Sequence, residues 1–235
     1  MGSTRQDCFM KIRLFVLSAL SLCLCPTAFS ANLIDLQYGA GAGSFELPGH
    51  SDPQYVTLPG GSAVIMGWTV GGASIDWVKT SVWVSSQGTY SLDMNGTAPL
   101  PTDPPHVGSI STSIFTTPGY TYRVTFDISG YNSYGNTTNP KQMSVSAGSV
   151  LQTFSLTSNY NSSTLPLAVT WETRSFDFIA QPGASSTINF QSLITNNTSG
   201  MLLDNVRVEL VAVPEPSSAA LGLCAFGLAA FRRRR

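Results

Sequence analysis

The chain has 235 residues, 43% of them hydrophobic and only 11% charged, with a formal net charge of −1. With the two ends set aside the balance changes: residues 31–212 hold five Lys and Arg against eleven Asp and Glu, a net of −6. That argues against nucleic acid or an anionic membrane as partner, and it suits solubility outside the cell and metal cations. Cys8, Cys23, Cys25 and Cys224 all lie outside this stretch, so disulfide and thiol chemistry are excluded from it and its stability must come from a packed core.

In chain order, the first segment is a leader. Arg5, Lys11 and Arg13 precede an apolar run, Leu14–Leu24, and then Ala28 and Ser30. This is the layout of a secretory signal peptide, residues 1–30, with cleavage after Ser30 or, alternatively, Ala31. Gly39, Gly41 and Gly43 follow in alternation. No helix pattern comes after them to present amides to a phosphate, so they read as a flexible entry loop.

The middle of the chain reads as all-β. Tyr120, Tyr122, Val124, Phe126 and Ile128 alternate with polar residues, as in a half-buried antiparallel strand. Val64, Met66, Trp68 and Val70 repeat the period, as do Leu167, Val169 and Trp171, then Phe176 and Phe178, then Val206, Val208 and Leu210. Weaker runs cover Ile75–Val78, Tyr90–Met94, Ser109–Phe115, Met143–Ala147, Val150–Leu156 and Thr187–Leu193. Gly, Pro, Asn and Ser clusters separate them, and no stretch has a convincing 3.6-residue period. The expectation is a two-sheet antiparallel jelly-roll β-sandwich over residues 31–212.

The chain closes on Val213-Pro214-Glu215-Pro216, an apolar run Ser217–Phe231, and Arg232, Arg233, Arg234 and Arg235. The prolines break strand and helix alike and leave an accessible connector. The apolar run is roughly 22 Å long as a helix, a short span against a core of about 30 Å. Arginines behind it stay on the cytoplasmic side. These residues resemble the PEP-CTERM sorting signal of Gram-negative bacteria. The resemblance implies an exosortase as processing partner, transient residence in the inner membrane, and a final place at the cell surface or in the extracellular matrix.

A second resemblance runs through the middle. Ser44-Phe45-Glu46, Gly67-Trp68, Ser74-Ile75-Asp76-Trp77, Ser91 to Gly96, Thr117 to Phe126, and Leu203-Asp204-Asn205-Val206 are similar to the choice-of-anchor C domain. That family resembles carbohydrate-binding modules with the galactose-binding-like fold. It implies a bacterial surface protein that binds carbohydrate or exopolysaccharide. The alternative is a structural or adhesion matrix protein with a protein partner and no sugar binding.

Catalysis finds little support. The chain lacks the zinc, serine-hydrolase and phosphate-loop motifs, and His50 and His106 sit in Pro/Gly loops as solvated residues. Eleven acids allow a glycoside-hydrolysing pair, but none is marked out. The reading is therefore a non-enzyme. For ligand binding, Trp83 has the parity opposite to Val82 and Val84 and turns outward, either as a sugar platform or as a cap on the sandwich edge. Tyr131, Asn132, Tyr134 and Asn136 lie in a long loop that could join it.

Two acids suggest a structural calcium ion. Glu46 ends the first strand-like stretch, and Asp204 shares the parity of Val206, Val208 and Leu210, which points it inward. An inward carboxylate is costly to bury unless paired, hydrogen-bonded or metal-bound. In the modules the chain is similar to, these positions help hold calcium between the first and last strands. The alternative is that Asp204 accepts backbone amides or pairs with an arginine, and that Glu46 is exposed.

Overall fold

The structure, a computed structural model, describes residues 31–97, 107–131, 140–158, 165–195 and 197–211. The leader, the sorting tail, and Asn132, Tyr134 and Asn136 lie outside the described residues. A short helix, α1 (Leu33–Tyr38), comes first. Eleven strands follow among the described residues: β1 (Tyr55–Pro59), β2 (Thr69–Gly72), β3 (Ser74–Lys79), β4 (Tyr90–Asp93), β5 (Gly108–Phe115), β6 (Thr121–Gly130), β7 (Lys141–Ala147), β8 (Val150–Leu156), β9 (Glu172–Ile179), β10 (Ser185–Ser192) and β11 (Met201–Leu210). They form a sheet of order β1-β3-β4-β11-β6-β9 packed on a sheet of order β2-β5-β10-β7-β8, all pairs antiparallel. This is the expected jelly-roll sandwich. No helix among the described residues is long and apolar enough to cross a membrane.

Alternation built the core where it was clearest. Tyr122, Val124, Phe126 and Ile128 of β6 are buried, and Phe126 meets Phe190 edge to face at 5.1 Å between centroids. Trp68 and Trp77 are buried as expected, their indole nitrogens donating to Ala42 O at 2.8 Å and Phe45 O at 3.0 Å. Strand β2, however, starts only at Thr69, and Val64 and Met66 are exposed while Ile65 is buried.

The N-terminal stretch departs from expectation. Asn32 caps α1 with its side chain on the Ile34 amide, and the same Oδ1 accepts the Val208 amide at 3.0 Å. The helix was invisible as a period because it is under two turns long. The glycine-rich stretch after it is a buried turn rather than a flexible loop. A Cβ on Gly43 would stand 2.3 Å from Val206 O, so glycine lets this turn press against β11. Ser44-Phe45-Glu46 belongs to the same turn and is not a strand. The buried cluster that fills the sandwich runs from Ile34 to Val208, so the described residues of 31–211 share one core.

Candidate functional site

The two outer faces of the sandwich differ. On the first sheet, strand acids face outward: Asp76, Asp93, Asp127, Asp177 and Asp204. Part of this face is covered. Trp83 is only 2% exposed and packs with Val78, Leu167 and Leu202 in a small second cluster. Its Nε1 donates to Ser91 Oγ at 2.7 Å, and its ring lies 5.1 Å from Tyr131. Trp171, half-buried, donates to Val84 O at 2.8 Å and closes the same cover. Of the two readings open for Trp83, the sugar platform, with Tyr131 beside it, is therefore overturned. Parity turned Trp83 away from the main core correctly, but the segment 165–171 folds over it, through a bridge at Leu167. Tyr131 lies beside Asp93 and Ser199, and burial, with the charge of Asp93, pushes its pKa up.

Beneath this cover sit buried polar groups. Asp93 Oδ1 accepts the amides of Asn95 at 2.9 Å and Gly200 at 2.8 Å, and Lys141 Nζ donates to Ser199 O at 2.7 Å. Burial, then the charge of Asp76, pushes the Asp93 pKa from 3.8 to about 8, while burial lowers that of Lys141. His50 is not a solvated loop residue. It packs 4.9 Å from both Trp77 and Tyr90, and burial lowers its pKa. His106 lies outside the described residues.

Asp204 is fully buried but does not point into the core. A bulge between Asp204 and Arg207, with Asn205 at φ 50°, reverses the parity of β11. Met201 and Leu203 face inward before it, Val206 and Val208 after it. Asp204 thus shares the outer face with its register partner Asp127, which accepts from Thr173 Oγ1 at 2.7 Å, Asn205 Nδ2 at 2.9 Å and Ser86 Oγ. Burial raises the Asp127 pKa, but these hydrogen bonds outweigh it and leave the value low.

Glu46 and Asp204 do converge, on one loop. Glu46 Oε1 accepts the amides of Thr89 and Tyr90, both at 2.9 Å, and Asp204 Oδ2 accepts that of Gln87 at 2.9 Å. Between them Gly88 stands at φ +68°, where a Cβ would lie 2.4 Å from Glu46 Oε1. Burial pushes the Asp204 pKa up to about 8, its amide partners pull it down, and the charge of Glu46 adds to the rise. In charge the pair suits a divalent cation. Among the described residues no group of three His, Cys, Asp or Glu forms a site, so further ligands would be carbonyl or amide oxygens.

The outer face of the second sheet is open and carries no charged strand residue. One row across all five strands reads Thr69, Ser111, Asn189, Ser146, Leu151; the next reads Gly71, Ser109, Gln191, Ser144, Thr153. Strands about 4.8 Å apart with same-face residues about 6.8 Å apart make this a regular grid of hydroxyls and amides. At its edge Tyr38, Trp68, Thr69, Ser111, Ser113 and Thr187 line a cleft of about 370 Å³. Tyr38 Oη donates to Ser113 O at 2.6 Å. Phe115, two residues on along the same face, is 72% exposed. The sequence reading did not single out this face, although Ser109, Ser111 and Ser113 alternating with Ile110 and Ile114 was the available signal.

Several solved structures resemble the fold. A family 61 carbohydrate-binding module (TmCBM61) in complex with β-1,4-galactotriose has a TM-score of 0.43 and 13% identity, over 77% of this chain and 100% of the module. The CBM22-1 xylan-binding domain of Paenibacillus barcinonensis Xyn10C has 0.38 and 14%, over 70% and 99%. A family 35 carbohydrate-binding module of Clostridium thermocellum has 0.39 and 11%, over 66% and 99%. No curated protein matches the chain. The PEP-CTERM protein-sorting motif matches residues 212–235, which marks the chain for export and sorting to the cell surface. The profile described as a protein of unknown function, DUF642, matches residues 41–209, most of the chain, and the protein belongs to that family.

Proposed function

We propose that this is an exported surface or matrix protein whose β-sandwich binds a carbohydrate chain on the open face of the β2-β5-β10-β7-β8 sheet. The observation that carries the reading is the uncharged grid of Ser, Thr, Asn and Gln with Phe115 exposed at its end. Sugars offer hydroxyls on their rims and apolar C–H faces, so a hydroxyl and amide grid beside an aromatic ring answers both. The reading is of a binding protein and not an enzyme, with an exopolysaccharide of the producing cell as natural ligand. Affinity electrophoresis of residues 31–211 through neutral and acidic polysaccharides tests it. Retardation that Phe115→Ala and Asn189→Ala both weaken supports it. No retardation in any glycan favours the structural matrix role instead.

The tail supplies the other half of the function. The precursor is held in the inner membrane with Arg232–Arg235 in the cytoplasm, and an exosortase processes it near Val213–Pro216. Mass spectrometry of the surface form should find no peptide from the terminal arginine cluster. Intact tail peptides in that form would sink the processing step.

A structural calcium ion at Glu46 and Asp204 belongs to the same proposal. It would offset the repulsion of two carboxylates that share one loop, and it would tie the entry turn to β11. Binding to the folded state alone raises the melting temperature by linkage. Calcium should therefore shift the melt of residues 31–211 upward, and Asp204→Asn should abolish the shift. Equal melting temperatures with calcium and with chelator would remove the ion.

A further inference from the structure

The sandwich has four sheet edges, and three of them are blunted. Strand β1 ends in Pro59. Strand β2 is four residues long and is already bonded along its outer side, Val70 N to Ser62 O and Gly61 N to Val70 O, both at 2.8 Å. Past the end of β2, the edge of β5 is capped by α1: Gln37 Nε2 donates to Ser113 O, and Gln37 Oε1 accepts the Phe115 amide. Strand β9 carries Glu172, Arg174 and Asp177. Charge, proline and side-chain caps are the usual devices that stop edge-to-edge pairing.

Among the described residues, strand β8 has none of them. Val-Leu-Gln-Thr-Phe-Ser-Leu is seven residues of high β propensity with no charge, no proline and no glycine. Its bonding side can be traced. The Leu193 amide donates to Gln142 O, so the outward residues of β7 turn their peptide groups toward β10. The inward residues of β7 then bond to Val150, Gln152, Phe154 and Leu156, following the antiparallel alternation. Leu151, Thr153 and Ser155 are left with N–H and C=O directed away from the sheet. No described residue hydrogen-bonds to them there.

We propose that this edge pairs with the β8 of a second copy across a two-fold axis at Thr153. In an antiparallel pair about that axis Thr153 faces Thr153, and Leu151 faces Ser155 in both directions, each pair exchanging N–H···O=C bonds. Self-pairing always sets a residue near its own copy, so a charged strand would repel itself, whereas this one does not. The chain leaves β8 away from the edge, Ser158 Oγ donating to Gly130 O at 2.7 Å. The axis stands perpendicular to the sheet, so the two uncharged faces join side by side as one ten-stranded surface, doubling the β2-β5-β10-β7-β8 order.

The test is light scattering of residues 31–211 across a concentration series, with three variants of one residue. Wild type and Thr153→Ser should move from monomer to dimer as concentration rises. Thr153→Pro removes the outward N–H without touching the β7 ladder, and it should stay monomeric with an unchanged melt. If that variant melts early, Thr153→Lys replaces it, setting two like charges at the axis. A wild-type monomer at every concentration overturns the proposal, whatever other chain the edge then accepts. A dimer that both Thr153→Pro and Thr153→Lys leave intact overturns it as well.

Discussion

The two outer faces of the sandwich belong to sheets of the same kind, yet they do opposite things with their side chains. On one, Asp76, Asp93, Asp127 and Asp204 stand on the strands, and a loop cover built on Trp83 closes over part of the face. On the other, rows of Ser, Thr, Asn and Gln lie open. Covering a face makes its side chains part of the core energetics and removes them from recognition. Leaving it open makes them nearly free of stability constraints and available to a ligand.

The strongest way to break this contrast is Trp83→Ala. A buried tryptophan truncated to alanine costs about 3–5 kcal/mol, against a total stability of roughly 5–15. Urea unfolding should show that loss, whereas Ser111→Ala and Ser144→Ala on the open face should stay within about 0.5 kcal/mol of wild type.

Next comes pH. The Asp93 carboxyl ionises near 3.8 when unfolded but at about 8 when folded, because burial and then Asp76 disfavour its charge. The folded state keeps the proton that the unfolded state has released. Its contribution is therefore fully present below about pH 4, falls as pH rises, and is exhausted above about pH 8. The effect is on the order of a few kcal/mol. Asp93→Asn, which retains the acceptor for Asn95 and Gly200, should flatten the Asp93 part of a melting-temperature profile across that window. An unchanged slope would show that Asp93 is not the titrating group.

A smaller effect should appear on the open face. Phe115→Ala should leave stability unchanged but weaken glycan binding by about 1 kcal/mol, roughly fivefold. Asp177→Asn, on the opposite face, should not alter binding. If Asp177→Asn weakens binding and Phe115→Ala does not, the assignment of faces is reversed. The smallest change should follow Arg123→Ala. Its pair with Asp177, at 2.7 Å, is exposed on both sides, so the melt should barely move in added salt.

The sequence by itself determined the segments with local signatures. The sorting tail is an ordered string of proline, apolar run and charge, and it needs no fold to be read. The inward residues of β6 were legible because strict alternation encodes one buried face. Only the tertiary structure decided what lies over an outer face. Trp83 has outward parity, and nothing near it in the chain announces that residues 165–171 will cover it. Asp204 was misplaced for a related reason: a single bulge residue, Asn205, reverses parity, and Asn at positive φ leaves no periodic mark. The open hydroxyl face was missed because Ser and Thr at outward positions look the same in the chain whether solvent, a loop or a ligand meets them. Periodicity records the side of a strand, and only packing between distant segments decides what that side touches.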